Sequence, residues 1–147
     1  MSLSRKNLLD LNVLIALTEP GHSQHRKAQE WLNSSGKVSW GVCPLTEAGF
    51  VRVTTNPAFR PGPRTMEQAI AILQALKGYP GYWYWEIDES WVTLTAPFAA
   101  RIFGHQQVTD AYLLGLAIKE KGTLVTFDKS ILYMAGAEFS QNVLLIE

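Results

Sequence analysis

The stretch Asn7-Leu8-Leu9-Asp10-Leu11-Asn12-Val13-Leu14-Ile15-Ala16-Leu17 decides the fold class. Leu8 and Leu9 close a short apolar run that Asp10 cuts off. Residues 13–17 then continue as a helix that stops near Pro20-Gly21. A strand that ends on a carboxylate and passes at once into an apolar helix is the start of a strand–helix unit. The same pattern returns late in the chain, where residues 123–127 read as a strand, Asp128 ends it, and residues 129–134 read as a short helix.

Working outward, residues 23–32 form a second helical pattern with Ser34-Ser35-Gly36 as its stop, and residues 37–42 read as a second strand. Pro44 suits the first turn of a helix, which runs through Val53 and ends before Asn56-Pro57. Residues 58–64 are a Pro/Gly-rich loop. Thr65 and Gln68 form a capping box for a helix with one apolar stripe, Met66, Ala69, Ile70, Leu73 and Leu76. A turn at 79–81 leads to a third strand at 83–87, and Thr95-Ala96-Pro97 opens a helix to about Phe103. After a loop at 104–107, Thr109 caps a helix through Lys119 that Gly122 closes, and residues 143–146 are a last strand. Five short strands alternating with helices predict an α/β fold with a mainly parallel sheet.

The 147 residues fit one domain spanning 1–147, long enough to bury a real core. Thirteen basic residues balance thirteen acidic ones. That neutrality argues against sequence-blind capture of nucleic acid by a basic surface, so an RNA substrate requires basic residues that are locally concentrated. The single cysteine, Cys43, excludes an internal disulfide and a Cys-cluster zinc site. No apolar run is long enough to span a bilayer, and the apolar stretch after Arg5 and Lys6 is broken by Asp10 and Asn12, unlike a signal peptide. The expected location is the cytoplasm.

Four isolated acids carry the chemistry. Asp10 and Asp128 end strands, Glu47 sits in the first turn of the helix after the second strand, and Asp110 sits in the first turn of the helix before the fourth. In an open parallel sheet, ligands bind beyond the carboxyl ends of the strands where the strand order reverses, so all four can meet at one rim. Any one of them alone reads as a helix cap or a solvated surface group. Four such placements, each adjoining an apolar segment, point to one site. Carboxylates crowded together stay ionised only with a cation among them. An all-oxygen donor set fits Mg²⁺ or Mn²⁺ rather than zinc. Such an ion can activate water and offset charge on a phosphodiester.

The four segments resemble the PIN-domain nucleases, and most closely the VapC-type toxins of bacterial toxin–antitoxin pairs. The resemblance is carried in order by Asp10-Leu11-Asn12 with residues 13–17, by Thr46-Glu47 with Gly49-Phe50-Val51-Arg52-Val53 running into Thr55-Asn56-Pro57, by Thr109-Asp110-Ala111-Tyr112-Leu113-Leu114, and by Leu124-Val125-Thr126-Phe127-Asp128. It covers nearly the whole chain, although residues 58–103 match in length and helix content more than in residues. It implies a three-layer α/β/α sandwich with a parallel five-stranded sheet. It also implies metal-dependent hydrolysis of RNA phosphodiesters, with Asp10, Glu47, Asp110 and Asp128 as catalytic metal ligands for Mg²⁺ or Mn²⁺. Asn12 and Thr126 match polar positions that orient carboxylates or metal waters. The resemblance further implies a homodimer inhibited by a cognate VapB-like antitoxin.

Other features are less specific. Arg52 lies five residues after Glu47 and can lean toward the pocket to contact phosphate, although a solvated face is the commoner outcome. His22, His25, Arg26 and Lys27 form a basic cluster able to contact an RNA backbone, and His105 precedes Asp110 in a polar loop. The five aromatics of residues 79–85 read as core and dimer burial before base stacking. Two rival readings stand beside the nuclease. A haloacid-dehalogenase-type phosphatase needs a second Asp where this chain has Asn12. A non-catalytic binding module of the same fold has no need of all four acids.

Overall fold

The computed structural model describes residues 5–34 and 39–147. In chain order the elements are β1 (Lys6–Leu9), α1 (Leu11–Thr18), α2 (His25–Ser34), β2 (Ser39–Gly41), α3 (Pro44–Thr54), α4 (Met66–Leu76) and α5 (Trp91–Thr95), then α6 (Val108–Lys119), β3 (Thr123–Thr126), α7 (Lys129–Phe139) and β4 (Val143–Leu145). A 3-10 stretch, Ala96–Arg101, follows α5, and a 3-10 turn, His105–Gln107, precedes α6. The expected stop at Ser35-Gly36 and the first two residues of the expected second strand, Lys37 and Val38, lie outside the described residues.

The strands are all parallel, in the order β2-β1-β3-β4. The chain runs from central β1 to one side, then returns to β1's other side with β3, so strand order reverses between β1 and β3. Their residues alternate between two cores. Leu8 and Leu124 pack with α5, α6 and α7 residues such as Leu94, Leu113, Leu114 and Ile131. Leu9 and Val125 pack with α1, α3 and α4 through Val13, Leu14, Phe50, Ala69 and Leu76. Both faces of the sheet are therefore covered, which is why its strands read as continuous apolar runs rather than as alternations. The result is the expected three-layer α/β/α sandwich.

Among the described residues the sheet has four strands, not the five expected. The segment 83–87 forms no regular strand, although it lies along the outer edge of β2. The Trp83 amide donates to the Trp40 carbonyl (2.7 Å) and the Trp85 amide to that of Val42 (3.1 Å), while the Trp40 amide donates to the Gly81 carbonyl (2.9 Å). Only Trp40 and Tyr82 form a bridge, because β2 is three residues long and offers no further register. Its neighbour passes so close that a Cβ on Gly41 would lie 1.8 Å from the Trp83 carbonyl oxygen. Trp85 is nevertheless fully buried. The aromatic run thus divides: Trp85 is core, Tyr82 and Trp83 are half-buried, and Tyr79 and Tyr84 are exposed, with Trp40 edge-on to both Tyr79 and Tyr82.

Helix ends also differ in informative ways. Thr65 and Gln68 make the reciprocal capping box as expected. Thr109, expected as a cap, is instead the second residue of α6, whose cap position is Gln107 without a side-chain capping bond. At the other end of α6 the left-handed residue is Lys121 (φ 56) rather than Gly122. The Gly122 amide donates to Ala117 at 2.8 Å and that of Lys121 to Ile118 at 3.0 Å, closing the helix with a Schellman motif. Gly122 is required for space, since a Cβ there would meet the Lys6 carbonyl oxygen at 2.5 Å. The helix expected from Thr95 starts earlier, at Trp91, where Ser90 caps it. α7 extends past Met134 to Phe139 across a break at Gly136 (φ 66). There Arg101 donates Nε–H to the Met134 carbonyl (2.7 Å) and a terminal N–H to that of Ala135 (2.9 Å), satisfying oxygens the break leaves free. The α4 stripe splits: Ala69 and Leu76 are buried, whereas Met66 and Ile70 are exposed.

Candidate active site

Asp10 is where β1 becomes α1. Its amide continues the β1–β3 pairing by donating to Val125 (3.1 Å). Its Oδ1 accepts from the Val13 amide at 3.0 Å, so it caps α1. Its Oδ2 accepts from the Thr126 hydroxyl at 2.5 Å. The side chain is 4% exposed. The plain capping role and the site role thus fall to different oxygens of one carboxylate. Each oxygen keeps a further lone pair for another partner.

Asp128 ends β3 and caps α7, its Oδ1 accepting from the Ser130 amide at 2.8 Å. Thr126 links the two strand-end acids: while it donates to Asp10, its Oγ1 accepts from the Asp128 amide at 3.0 Å. Asp110 enters from α6. These three carboxylates line one cleft of about 260 Å³, beside Asn12 and with Thr46, Gly49, Arg52 and Thr109 on its walls.

The electrostatics follow from that convergence. Burial pushes the Asp10 carboxyl up, with the Thr126 bond pulling it down and the Asp128 charge adding to the rise. Burial, then the charges of Asp10 and Asp128, push Asp110 up to about 6. The cleft therefore disfavours its own negative charge and favours a cation.

Glu47 does not join the other three, contrary to expectation. It lies in α3's first turn, but it lines the neighbouring groove with Val51, Ile70, Leu73 and Lys77. Its charge reaches Tyr82, whose phenol burial first and Glu47 second push up to about 12. The helix phase explains this. Leu45, Gly49 and Arg52 repeat at i, i+4 and i+7 and face the cleft, so Glu47 is turned toward α4. Gly49 sets the approach of the two helices, since a Cβ there would press on Leu11 Cδ2 at 3.1 Å. Arg52 is thus on the cleft wall, the side toward which its sequence position allowed it to lean. Thr46 and Thr109 also reach the cleft; sequence reasoning passed over the first and took the second for a cap. His22, His25, Arg26, Lys27 and His105 do not line it. His25 Nδ1 instead donates to the Ala16 carbonyl at 2.6 Å.

Among the described residues, no three acidic, imidazole or thiol groups close tightly enough to enclose an ion. The donor chemistry nonetheless fits a hard divalent cation. Three aspartates, two with carboxyls pushed up, face an open cleft. Mg²⁺ is commonly held by one or two carboxylates and keeps several waters, so it does not need a cage.

The family described as PIN domain matches residues 8–137 of this sequence. The chain belongs to the PIN-domain family. Its curated relatives are VapC-type PIN proteins. Ribonuclease VapC38 of Mycobacterium tuberculosis is 41% identical over 87% of this chain and 89% of its own length. Ribonuclease VapC44 of the same species is 37% identical over 84% and 87%. Solved structures share the PIN fold at low identity. A toxin–antitoxin complex from Klebsiella pneumoniae has a TM-score of 0.66 at 18% identity, over 96% of this chain and 98% of that one. VapBC2 from Rickettsia felis bound to a promoter DNA fragment has 0.60 at 15%, over 95% and 96%. The described residues include no helix long and apolar enough to cross a membrane.

Proposed function

We propose that this single PIN domain is a metal-dependent endoribonuclease of the VapC type, hydrolysing RNA phosphodiester bonds and held in check by a VapB-like antitoxin. The observation that supports it most is the cleft where Asp10, Asp110 and Asp128 meet, in a chain whose relatives are named ribonucleases. Mg²⁺ or Mn²⁺ is the cofactor of this reading, held by Asp10, Asp110 and Asp128. Glu47 contributes from the adjoining wall rather than from within the cleft. When bound, the ion supplies an activated water and offsets charge on the phosphodiester and its leaving oxygen.

The chain's own residues do the rest. The Val13 amide and Thr126 hydroxyl hold Asp10 in a single orientation. Thr126 Oγ1, accepting from the Asp128 amide, holds the Asp128 backbone beside Asp10. Such preset geometry removes the cost of ordering the site during reaction. Arg52 offers a cation to the substrate's phosphate from the cleft lining. Two structural neighbours, a toxin–antitoxin complex and VapBC2, support a protein inhibitor. A homodimer acting in the cytoplasm completes the reading.

The decisive assay incubates purified protein with RNA in Mn²⁺ or in EDTA, with Asp10→Asn and Asp110→Asn in parallel. Cleavage in Mn²⁺, abolished by EDTA and by either substitution in a protein that stays folded, is expected. Full cleavage by both variants would overturn the proposal.

A further inference from the structure

Arg52 is shared by two adjoining hollows. One is the acid cleft. The other, of about 350 Å³, is lined by Val53, Asn56, Ala58, Phe59 and Arg60 along with Arg52 itself. Both arginines are exposed, and neither has an ion-pair or hydrogen-bond partner among the described residues. Their neighbours differ. Arg64 is spent on Glu19 Oε2 (2.8 Å) and the Thr18 carbonyl, and Arg101 on the carbonyls of α7. The loop that presents Arg60 is pinned at both ends. The Asn56 amide donates to Val53 and that of Phe59 to Asn56 (2.9 Å), and the Arg64 amide returns to the Thr54 carbonyl (2.8 Å). Asn56 Oδ1 accepts from the Ala58 amide, which leaves its side-chain NH₂ unused. Phe59 is half-buried against the core and contributes to the hollow's lining.

A protein of zero net charge lacks the broad basic surface that holds RNA by attraction alone. Free cations beside the carboxylates must then hold the strand, and Arg52, which lines both hollows, joins the acid cleft to the hollow that holds Arg60. We infer that the hollow from Arg52 to Arg60 is a subsite for the nucleotide flanking the scissile phosphate of a single-stranded RNA. The inference rests on the ribonuclease reading above. Arg52 and Arg60 take successive phosphodiesters, the Asn56 amide donates to a phosphate or sugar oxygen, and Phe59 offers an aromatic surface to the base. The basic cluster of α2 takes no part, because it lines neither hollow.

Binding can be read without turnover in an Asp110→Asn background, by anisotropy of a short fluorescein-labelled single-stranded RNA in Mg²⁺ across a salt series. Arg60→Ala should weaken binding roughly ten-fold at low salt and flatten the slope of log affinity against log salt by about 0.7, one phosphate contact on a single strand. Arg60→Lys, which keeps the charge, should retain the slope. Arg26→Ala, in the α2 cluster, should bind like the parent. An Arg60→Ala protein with the parent's affinity and slope overturns the subsite, as does an equal loss in Arg26→Ala. Mn²⁺-dependent cleavage of the same RNA by the unsubstituted protein is measured alongside. If the RNA is cut and Arg60→Ala binds normally, only the subsite falls. If the RNA is not cut, the ribonuclease reading falls, whatever the anisotropy shows.

Discussion

Thr126 donates its hydroxyl to Asp10 across the β1–β3 pair and accepts, through the same oxygen, from the amide of Asp128. One buried hydroxyl therefore ties the Asp10 carboxylate to the backbone of Asp128. Replacing it with an apolar group leaves a buried carboxylate oxygen and a backbone amide short of a partner. Thr126→Ala should lose about 1–3 kcal/mol of stability and slow cleavage, whereas Thr126→Ser should keep most of both. Urea unfolding in EDTA and initial rates in Mn²⁺ check this; equal behaviour of the two variants would show that the hydroxyl does not matter.

Asp110 gives a pH dependence of known sign. Burial and the neighbouring Asp10 and Asp128 charges push its carboxyl up to about 6, from 3.8 in an unconstrained chain. Between those values the folded chain holds a proton that the unfolded chain has released. Its contribution to stability is therefore largest below pH 4 and is lost as pH rises toward 6. In EDTA, melting curves of the unsubstituted protein and of Asp110→Asn should diverge across that window, the variant lacking this part of the fall. Parallel curves would show that the carboxyl is not held high.

The same charge balance predicts a change of rank with metal. At pH 7 in EDTA, Asp110→Asn should melt a few °C above the unsubstituted protein, because an unfavourable buried charge is gone. In Mn²⁺ the order should reverse, since the ion stabilises only the fold that binds it. Scanning calorimetry with and without Mn²⁺ reads both arms, and an unchanged order would remove the cation from the cleft.

The separation of Glu47 from the cleft is directly testable. Asp110→Asn should weaken Mn²⁺ binding by at least about ten-fold, and Glu47→Gln should weaken it far less. Calorimetric titration of the two variants distinguishes them. Equal losses would mean that Glu47 swings into the cleft when the ion binds.

Gly41 sets the route of the aromatic segment. Gly41→Ala should cost about 1–3 kcal/mol by forcing the Trp83 carbonyl off β2, with a change in tryptophan fluorescence as Trp83 and Trp85 shift. A variant of unchanged stability and emission would contradict the close approach.

Much of this was legible in the sequence because strand exits are marked twice, by the end of an apolar run and by the acid that ends it. Asp10 and Asp128 are such positions, and Leu8-Leu9 and Leu124-Val125 read as buried on both sides because they are. Asp110 was legible as a first-turn residue of α6. Glu47 sits in the first turn of α3 as its sequence position implies, but such a position fixes height along a helix and not the direction faced, which depends on the phase of Leu45, Gly49 and Arg52. The segment 83–87 was misread because its aromatic, β-prone composition matches a strand, while the brevity of β2 denies it a ladder. Gly122 looked like a helix stop, but what it supplies is room beside Lys6.

The Asp10–Thr126 bond joins residues 116 positions apart. A chain still leaving the ribosome carries Asp10 from the outset, yet has neither Thr126 to orient it nor Asp110 and Asp128 to complete the cleft until synthesis is nearly done. Fragments ending before β3 are likewise without a site. On the proposed reading, the carboxylate cleft is therefore assembled only once nearly the whole chain is present.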